Sequence, residues 1–540
     1  MDAPPERLVA AIDMGSNSFK LLLARSLPSG RLLPVIRLKE PLPLLRGAPF
    51  SEETQIHAIS ALKTLTLALK PHPVQSLRLV ATAAFRDSPN RSELVAAITA
   101  ELGLRVHVIS GEEEARLTYL GVLQFLPVYE RLVLLVDIGG GSTELLIGKQ
   151  GRVLFATSLE LGHLSLTENF VKKGDLIGLR SFVREVIGKS DFAEKSRELG
   201  RIEMVIGSSG TVRWIGRAIA RDLIKGEFRT EWGFSRDELG SMVEKLGIGE
   251  EEKVRAFGFS RRRAGVIFAG AVLLLEIFDA LGIKEMEISE YGLVEGVIVE
   301  MIAKENVDYD WSANARWRSV VSLAARFDGG NRMKSAFQRV GVAKDIFYGL
   351  KKCYDLVGIS GAPISFDEKE FECLEAALLL CNIGKVIGKK GYHKHSYCII
   401  KNCGHLPGYS SEEIKLIALL ARYHRKKFPR KEHDSVKELH AEMRHKFRVL
   451  CVIIRIALVL QKCQFMAFKE LEVFHSPEGF NVVLSGVNDG LSVAGDLPPV
   501  TLIQSELNPE LDHFEEIFHQ KLLVSFPQKA LGGEQNTVHT

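Results

Sequence analysis

Two short runs of this sequence place a carboxylate just before a turn rich in glycine and serine: Asp13-Met-Gly-Ser-Asn-Ser18 and Asp137-Ile-Gly-Gly-Gly-Ser142. Absent or small side chains let backbone N–H groups converge on an anion and permit unusual dihedrals. The candidate phosphate-binding positions are therefore Gly15, Ser16, Asn17 and Ser18, then Gly139, Gly140, Gly141 and Ser142. A third run, Gly207-Ser-Ser-Gly-Thr211, reads as another Gly/Ser turn and adds Ser208, Ser209 and Gly210. Three such turns in one chain imply a cradle for linked phosphates. Asp13 and Asp137 hold equivalent positions; each either caps its own turn or holds a Mg²⁺ that bridges phosphate oxygens. Equivalence in two copies favours the metal.

Hydrolysis needs a group that activates water. Ser110-Gly-Glu-Glu-Glu-Ala-Arg116 opens a helix, and Ser110 with Glu113 fits the S-x-x-E capping box. Glu113 then has a local partner and Glu112 reads as solvated first-turn charge, which leaves Glu114 to orient and deprotonate water. Glu144, directly after the second turn, is the other carboxylate within reach and a third candidate metal ligand. Arg86 follows a strand and suits bidentate phosphate contact, although a lone arginine is as well explained as surface charge.

The elements that must position these groups come in duplicate. Ala11–Leu23 and Leu135–Ile147 align without a gap at an offset of 124 residues, each reading as strand, tight turn, strand. Strand signals at Leu77–Ala81, Arg105–Ile109 and Met204–Ile206, with helices at Ser92–Leu102 and Ser110–Leu123, extend a mixed α/β pattern to about residue 303. Helical spacing then dominates from Trp311 to about Phe465, as in Leu374–Leu380, Glu412–Tyr423 and Phe447–Leu460. Short strands at Leu471–His475, Phe480–Ser485 and Thr501–Ser505, with a helix near Glu510–Leu522, suggest a small α/β cap before a disordered tail from residue 528. The expected domains are 1–128, 129–303, 304–465 and 466–527, followed by the tail, 528–540.

Composition excludes several function classes. At 540 residues the chain calls for several cores, and 46% hydrophobic with 25% charged residues is ordinary for a globular protein. A net charge of +3 does not suggest a nucleic-acid partner. No membrane partner is expected: the most apolar run, Ala264–Leu275, falls short of the roughly 20 residues a span needs and reads as a buried helix. No targeting segment is visible in the first residues, and seven cysteines without a C-x-x-C pair fit free thiols in a reducing, cytoplasmic setting. Cys398 and Cys403 lack further ligands at finger-like spacing, so zinc is not expected. Two acid-free basic stretches, Lys385–Lys401 and Arg422–Lys431, either line a polyanion channel or form a solvated face.

Taken in order, Ala11-Ile-Asp-Met-Gly-Ser-Asn-Ser, Ala81-Thr-Ala-Ala-Phe-Arg, Ile109-Ser-Gly-Glu-Glu-Glu-Ala-Arg-Leu, Asp137-Ile-Gly-Gly-Gly-Ser-Thr-Glu-Leu and Gly207-Ser-Ser-Gly-Thr resemble the motifs of the Ppx/GppA phosphatase family. The likeness continues at His393-Lys-His-Ser396, Leu406-Pro-Gly-Tyr409 and Ala421-Arg-Tyr-His-Arg-Lys426, as in the family's long form. It implies duplicated actin-like ATPase (ribonuclease H-like) domains, an all-α HD-like domain and a small α/β C-terminal domain. The implied activity is Mg²⁺-dependent release of a terminal phosphate from inorganic polyphosphate, with guanosine pentaphosphate as the alternative substrate. In this likeness Glu114 activates water, supported by Asp137, Gly139, Glu144, Arg86 and Ser208–Gly210. A homodimer is plausible by the same likeness. Cys381-Asn382 stands where the family resemblance would place a His-Asp or His-Glu pair of an HD-type metal site and Leu458 where it would place an Asp, so no metal chemistry is expected there, and His393, His395 and His424 read as packing or anion-contacting residues. An actin-fold kinase or a non-catalytic polyphosphate sensor remain the competing readings.

Overall fold

The computed structural model describes residues 7–27, 30–223, 233–247, 254–255, 259–306, 309–327, 332–357, 367–402, 406–425, 428–429, 434–464, 468–487 and 500–525. The expected tail, with Cys403, Lys426, Lys427, Arg430 and Lys431 of the cysteine and basic-stretch expectations, lies outside them. The chain divides into two compact units, Met1–Ala315 and Arg316–Thr540.

The first unit contains two mixed sheets built to one plan. In the first, β1 (Arg7–Met14), β2 (Ser18–Ser26) and β3 (Leu32–Pro41) form an antiparallel meander, and β4 (Ser76–Ala81) and β5 (Val106–Val108) add in parallel, giving the order β3-β2-β1-β4-β5. In the second, β6 (Val133–Ile138), β7 (Thr143–Lys149) and β8 (Arg152–Leu159) repeat the meander. There β9 (Met204–Ser208) and β11 (Glu285–Ile288) repeat the parallel strands, and β10 (Gly233–Ser235) is an added edge. This is the duplicated α/β arrangement the repeated sequence called for. The hairpin strands Val9–Ile12 and Val133–Val136 are buried apolar runs, as strands covered on both faces must be.

Helices fill the connections. Those that bear on the site are α1 (Ala83–Asp87), α2 (Gly111–Phe125), α3 (His163–Asn169), α4 (Ser209–Leu223), α5 (Arg261–Leu281) and α6 (Leu293–Ala303). The apolar run at 264–275 is part of α5, a helix longer than the run suggested; Arg263–Leu281 is apolar enough to cross a membrane by composition, yet 72% of its most apolar window is buried. It belongs to the core of the second lobe, where Phe268, Val272, Leu275 and Phe278 share one buried cluster with Phe234 and Ile288, and the Phe278 ring stacks on Phe234. The run Gly207–Thr211 is not a hairpin turn: β9 ends at Ser208 and α4 begins at Ser209, which holds φ +85°. An L-residue there is strained, so the junction has a shape that sequence periodicity does not report.

The last helix of each lobe crosses over. Helix α2 leaves the first sheet and packs against β7 and β8, whereas α6 leaves the second sheet and packs on β1, β2 and α2. Their crossing is closed by glycine: a methyl group on Gly296 would lie 1.7 Å from the Leu117 carbonyl oxygen, and one on Gly121 2.0 Å from that of Gly292. Beside the crossing, Glu300 is bound by Arg78 and Arg116; burial opposes its charge, but the two guanidiniums hold its carboxyl down to about 2.

In the second unit, α7 (Glu368–Leu380), α8 (Tyr392–Asn402), α9 (Ser411–Tyr423) and α10 (Ala441–Gln464) pack with Arg332–Val357 around one core. That core runs on into the sheet β12-β13-β14 (Phe468–Ser476, Gly479–Val487, Leu522–Ser525) through Phe480, Val482 and Leu484. The strand expected at Thr501–Ser505 is instead the first turn of α11 (Val500–Phe518). Ile503, Leu507 and Phe514 are all buried at helical spacing, and this period outweighs the β-propensity of Val500, Thr501 and Ile503.

Candidate active site

Asp13 is the last residue but one of β1 and is 3% exposed. Hairpin register sets Lys20 directly opposite it, with Nζ 2.8 Å from Oδ2, and the nearby Asp13 charge raises the Lys20 pKa. Oδ1 of Asp13 is buried and has no hydrogen-bond partner. In the second hairpin the same register pairs Asp137 with Glu144, and Asp137 also lies beside Ser208 of β9. Burial raises the Asp137 pKa, opposed by Lys20 and Arg213. Lys20 and Glu144 are thus equivalent positions of the duplicated hairpin, one basic and one acidic.

The two Gly/Ser turns face each other. A methyl group on Gly141 would sit 3.1 Å from Ser16 Oγ, and one on Gly140 3.3 Å from Ser16 Cβ. The second turn is held tight by Gly139 N–H donating to Ser142 O at 2.8 Å and by Gly162, where a methyl would lie 2.1 Å from Gly140 O. His163 opens α3 with Nδ1 2.8 Å from Gly139 O; burial lowers its pKa to about 4, so it is neutral and donates this bond. Ser209, Gly210 and Thr211 form the N-terminus of α4, whose unpaired N–H groups and dipole favour an anion.

Both turns, this N-terminus, Asp13, Asp137 and Glu114 line one cavity of about 600 Å³. Among the sequence candidates, Arg86 and Glu144 stand outside that lining. Arg86 Nη1 is 3.4 Å from Glu114 Oε2 and donates to Ile109 O at 2.9 Å, so it braces the glutamate. Glu144 is 2% exposed and accepts from Ser158 Oγ at 2.8 Å. Burial, then the Asp137 charge, push Glu144 up to about 7. Burial and the Glu144 charge likewise raise Glu114 well above the usual carboxylate range, with Arg86 opposing. A neighbouring negative charge in a low-dielectric site makes each carboxyl harder to ionise.

Glu114 reaches this place through local capping. Ser110 Oγ accepts from Glu113 N at 3.1 Å, but the Glu113 carboxylate does not return to close the expected box; it pairs with Arg116 at 2.7 and 2.8 Å. The guanidinium is the stronger partner for a charged carboxylate. Gly111 lets the helix start approach β8, since a methyl there would lie 2.2 Å from Ser158 Cβ.

Sequence reading missed Lys20, Arg213, Arg263 and His163, all of which line the cavity. Lys20 was within reach, because the offset that aligns Asp13 with Asp137 also aligns it with Glu144. Arg213 Nε donates to Ser209 O at 2.9 Å, and Arg263, last of the run Arg261-Arg262-Arg263, lies 4.7 Å over the Trp214 ring.

A divalent cation fits. Asp13 and Asp137 offer hard oxygens, one of them buried without a partner. Among the described residues no group of three His, Cys, Asp or Glu side chains is placed to hold an ion, so an ion here would be held by one or two carboxylates with water and substrate oxygens.

Duplicated meander sheets, two facing Gly/Ser turns and buried carboxyls define a two-lobed α/β region with a cleft between its turns. A family model described as the Ppx/GppA phosphatase family matches residues 35–305, and one described as Ppx/GppA phosphatase, domain III, matches 316–510. The chain belongs to the Ppx/GppA phosphatase family. It is 30% identical over 467 residues to a guanosine-5'-triphosphate,3'-diphosphate pyrophosphatase of Aeromonas hydrophila, covering 84% of this chain and 87% of the relative. The corresponding protein of Pseudoalteromonas translucida is 28% identical over 471 residues, covering 85% and 88%. Solved structures similar to it include the Aquifex aeolicus family member (28% identity, 56% of this chain and 99% of that one, TM-score 0.47) and an exopolyphosphatase from Cytophaga hutchinsonii (25%, 55% and 98%, 0.49).

Proposed function

We propose that this chain hydrolyses a terminal phosphoric anhydride by direct attack of water. The observation that carries the reading is Glu114, a carboxyl held above its ordinary range in the cavity that two facing Gly/Ser turns line. Glu114 accepts a proton from water as its oxygen bonds to the terminal phosphorus; the bond from phosphorus to the bridging oxygen breaks, and the shortened phosphate chain departs with that oxygen. Turn amides, the α4 N-terminus, Lys20 and Arg213 stabilise the charge on the transferring group. Mg²⁺ bound at Asp13 and Asp137 would neutralise phosphate charge. Glu144, held by Ser158, tunes Glu114 through repulsion, and Arg86 orients it.

Because Glu114 must be ionised to act, activity rises with pH through its elevated titration, and the acidic limb lies above the ordinary carboxylate range. Glu144→Gln removes one source of the elevation. Its acidic limb should move to lower pH, as measured by kcat/KM against pH; an unmoved limb would exclude this coupling.

For substrate we favour guanosine pentaphosphate. Its support is the wall formed by Leu38, Pro43, Val266, Ile267, Leu293 and Val294, apolar surface that a bare phosphate chain cannot use, together with the activity named for the curated relatives. Inorganic polyphosphate is the second reading, favoured by Arg37, Lys39 and Arg263 lining the same cavity. Side-by-side kcat/KM values decide: the first reading expects at least a tenfold preference for the nucleotide, and a preference for polyphosphate reverses it.

We read the helical part of the second unit as HD-like without metal chemistry. Cys381 is buried, and His424 is a neutral packing residue, with Nε2 3.1 Å from Tyr392 Oη and a pKa lowered by burial to about 3.

A further inference from the structure

In the second unit the 3₁₀ turn Ile383–Val386 leads into α8 through Ile387-Gly-Lys-Lys-Gly391. The turn buries Ile383, at 4% exposed, but leaves its two neighbouring aliphatics in solvent: Val386 is 59% exposed and Ile387 60%. Gly391, at φ +73°, turns the chain back into the helix. Lys389, Lys390 and Lys394 are exposed around this tip and form no ion pair among the described residues, and no Asp or Glu occurs between Lys385 and Lys401. The flanking lysines are engaged: Lys385 lies 4.9 Å over the Tyr392 ring, and Lys401 pairs with Glu438 at 3.6 Å.

We propose that this tip docks on an anionic lipid bilayer, with Val386 and Ile387 entering the boundary between headgroups and acyl chains and Lys389, Lys390 and Lys394 facing the lipid phosphates. Other occupants fit less well. A polyphosphate or nucleic acid would engage the lysines but has no use for an exposed Val-Ile pair beside them in the chain. A second copy meeting it about a two-fold axis would set Lys389 and Lys390 against their own counterparts. A bilayer surface supplies both halves of the complement, negative charge outside and apolar depth beneath it. Two aliphatic side chains and three charges make a reversible contact, not an anchor. The sequence expectation of no membrane partner rested on the shortness of the apolar run Ala264–Leu275 as a span, and that argument does not bear on a surface contact.

The test is co-sedimentation of the full chain with vesicles of phosphatidylcholine, with and without phosphatidylglycerol. Binding is expected only with phosphatidylglycerol, and it should weaken as salt rises. Val386→Ser with Ile387→Ser should cost at least fivefold in affinity. Lys389→Glu with Lys390→Glu should abolish binding, since each lysine contributes about fivefold near an anionic surface. Circular dichroism melts check that both variants fold as the parent does. The proposal is overturned if anionic vesicles are not bound or if both double variants bind like the parent. It is overturned equally if the serine variant alone binds normally, which would leave a charge patch without insertion. A fourth contrary outcome is that the serine variant converts a dimer to a monomer in sedimentation velocity while vesicles go unbound.

Discussion

Replacing Glu114 by Gln should lower kcat by about 10²–10⁴ while leaving KM within a few fold. The substitution keeps the size and polarity of the side chain, so Arg86 retains an oxygen to approach and still holds Ile109 O. What is lost is the basicity that takes a proton from water, which acts only in the transition state and therefore appears in kcat. The phosphate turns and the α4 N-terminus, which bind the ground state as well, remain. By the usual conversion the loss is roughly 3–5 kcal/mol of barrier. Steady-state phosphate release on guanosine pentaphosphate and on polyphosphate measures it. Turnover within tenfold of the parent on both substrates would remove Glu114 from the mechanism.

The second large effect is on stability. Gly296→Ala should lower the first thermal transition by roughly 10 °C or prevent soluble expression, because its methyl would meet the Leu117 carbonyl at 1.7 Å and the carbon behind it at 2.6 Å. Both obstacles are backbone, so no rotamer change relieves them, and α2 and α6 must part. Parting them opens the cluster that joins Leu117, Leu120, Val297 and Ile298 to both sheets. Gly188→Ala is the control: it lies exposed in a helix with nothing within 4 Å of an added methyl, and alanine there should stabilise slightly. A Gly296→Ala protein that melts within a degree or two of the parent would mean the crossing can slide open at little cost.

Much of the cleft was legible because the chain states it twice. The repeated Asp-x-Gly turn gave the hairpins, their register and the equivalence of Asp13 with Asp137; Glu114 emerged by elimination within its own helix start. What was not legible depends on distant segments meeting. Gly207–Thr211 has the composition of a loop, yet the N-terminus of α4 begins inside it, a shape fixed by Ser209 at positive φ. Arg213 and Arg263 reach the cavity from separate helices of the second lobe, and no local pattern announces that. Thr501–Ser505 failed differently: β-branched residues there satisfy a strand pattern over five positions, and the helical period shows only when Leu507 and Phe514 are counted with them.

The exchange of α2 and α6 bears on how the chain is made. A nascent chain that has emerged only as far as β5 carries the whole first sheet but lacks the helix that covers β1 and β2, which is encoded from Leu293 onward. Until then Val9, Ala11 and Leu22 have no lid, and α2 has no second sheet on which to lie. The two halves of the cleft cannot mature one after the other on the ribosome; they close together and late, through contacts of high sequence separation that slow folding. Cutting the gene between the duplicated hairpins should therefore yield two fragments that complement each other when co-expressed and aggregate when made alone.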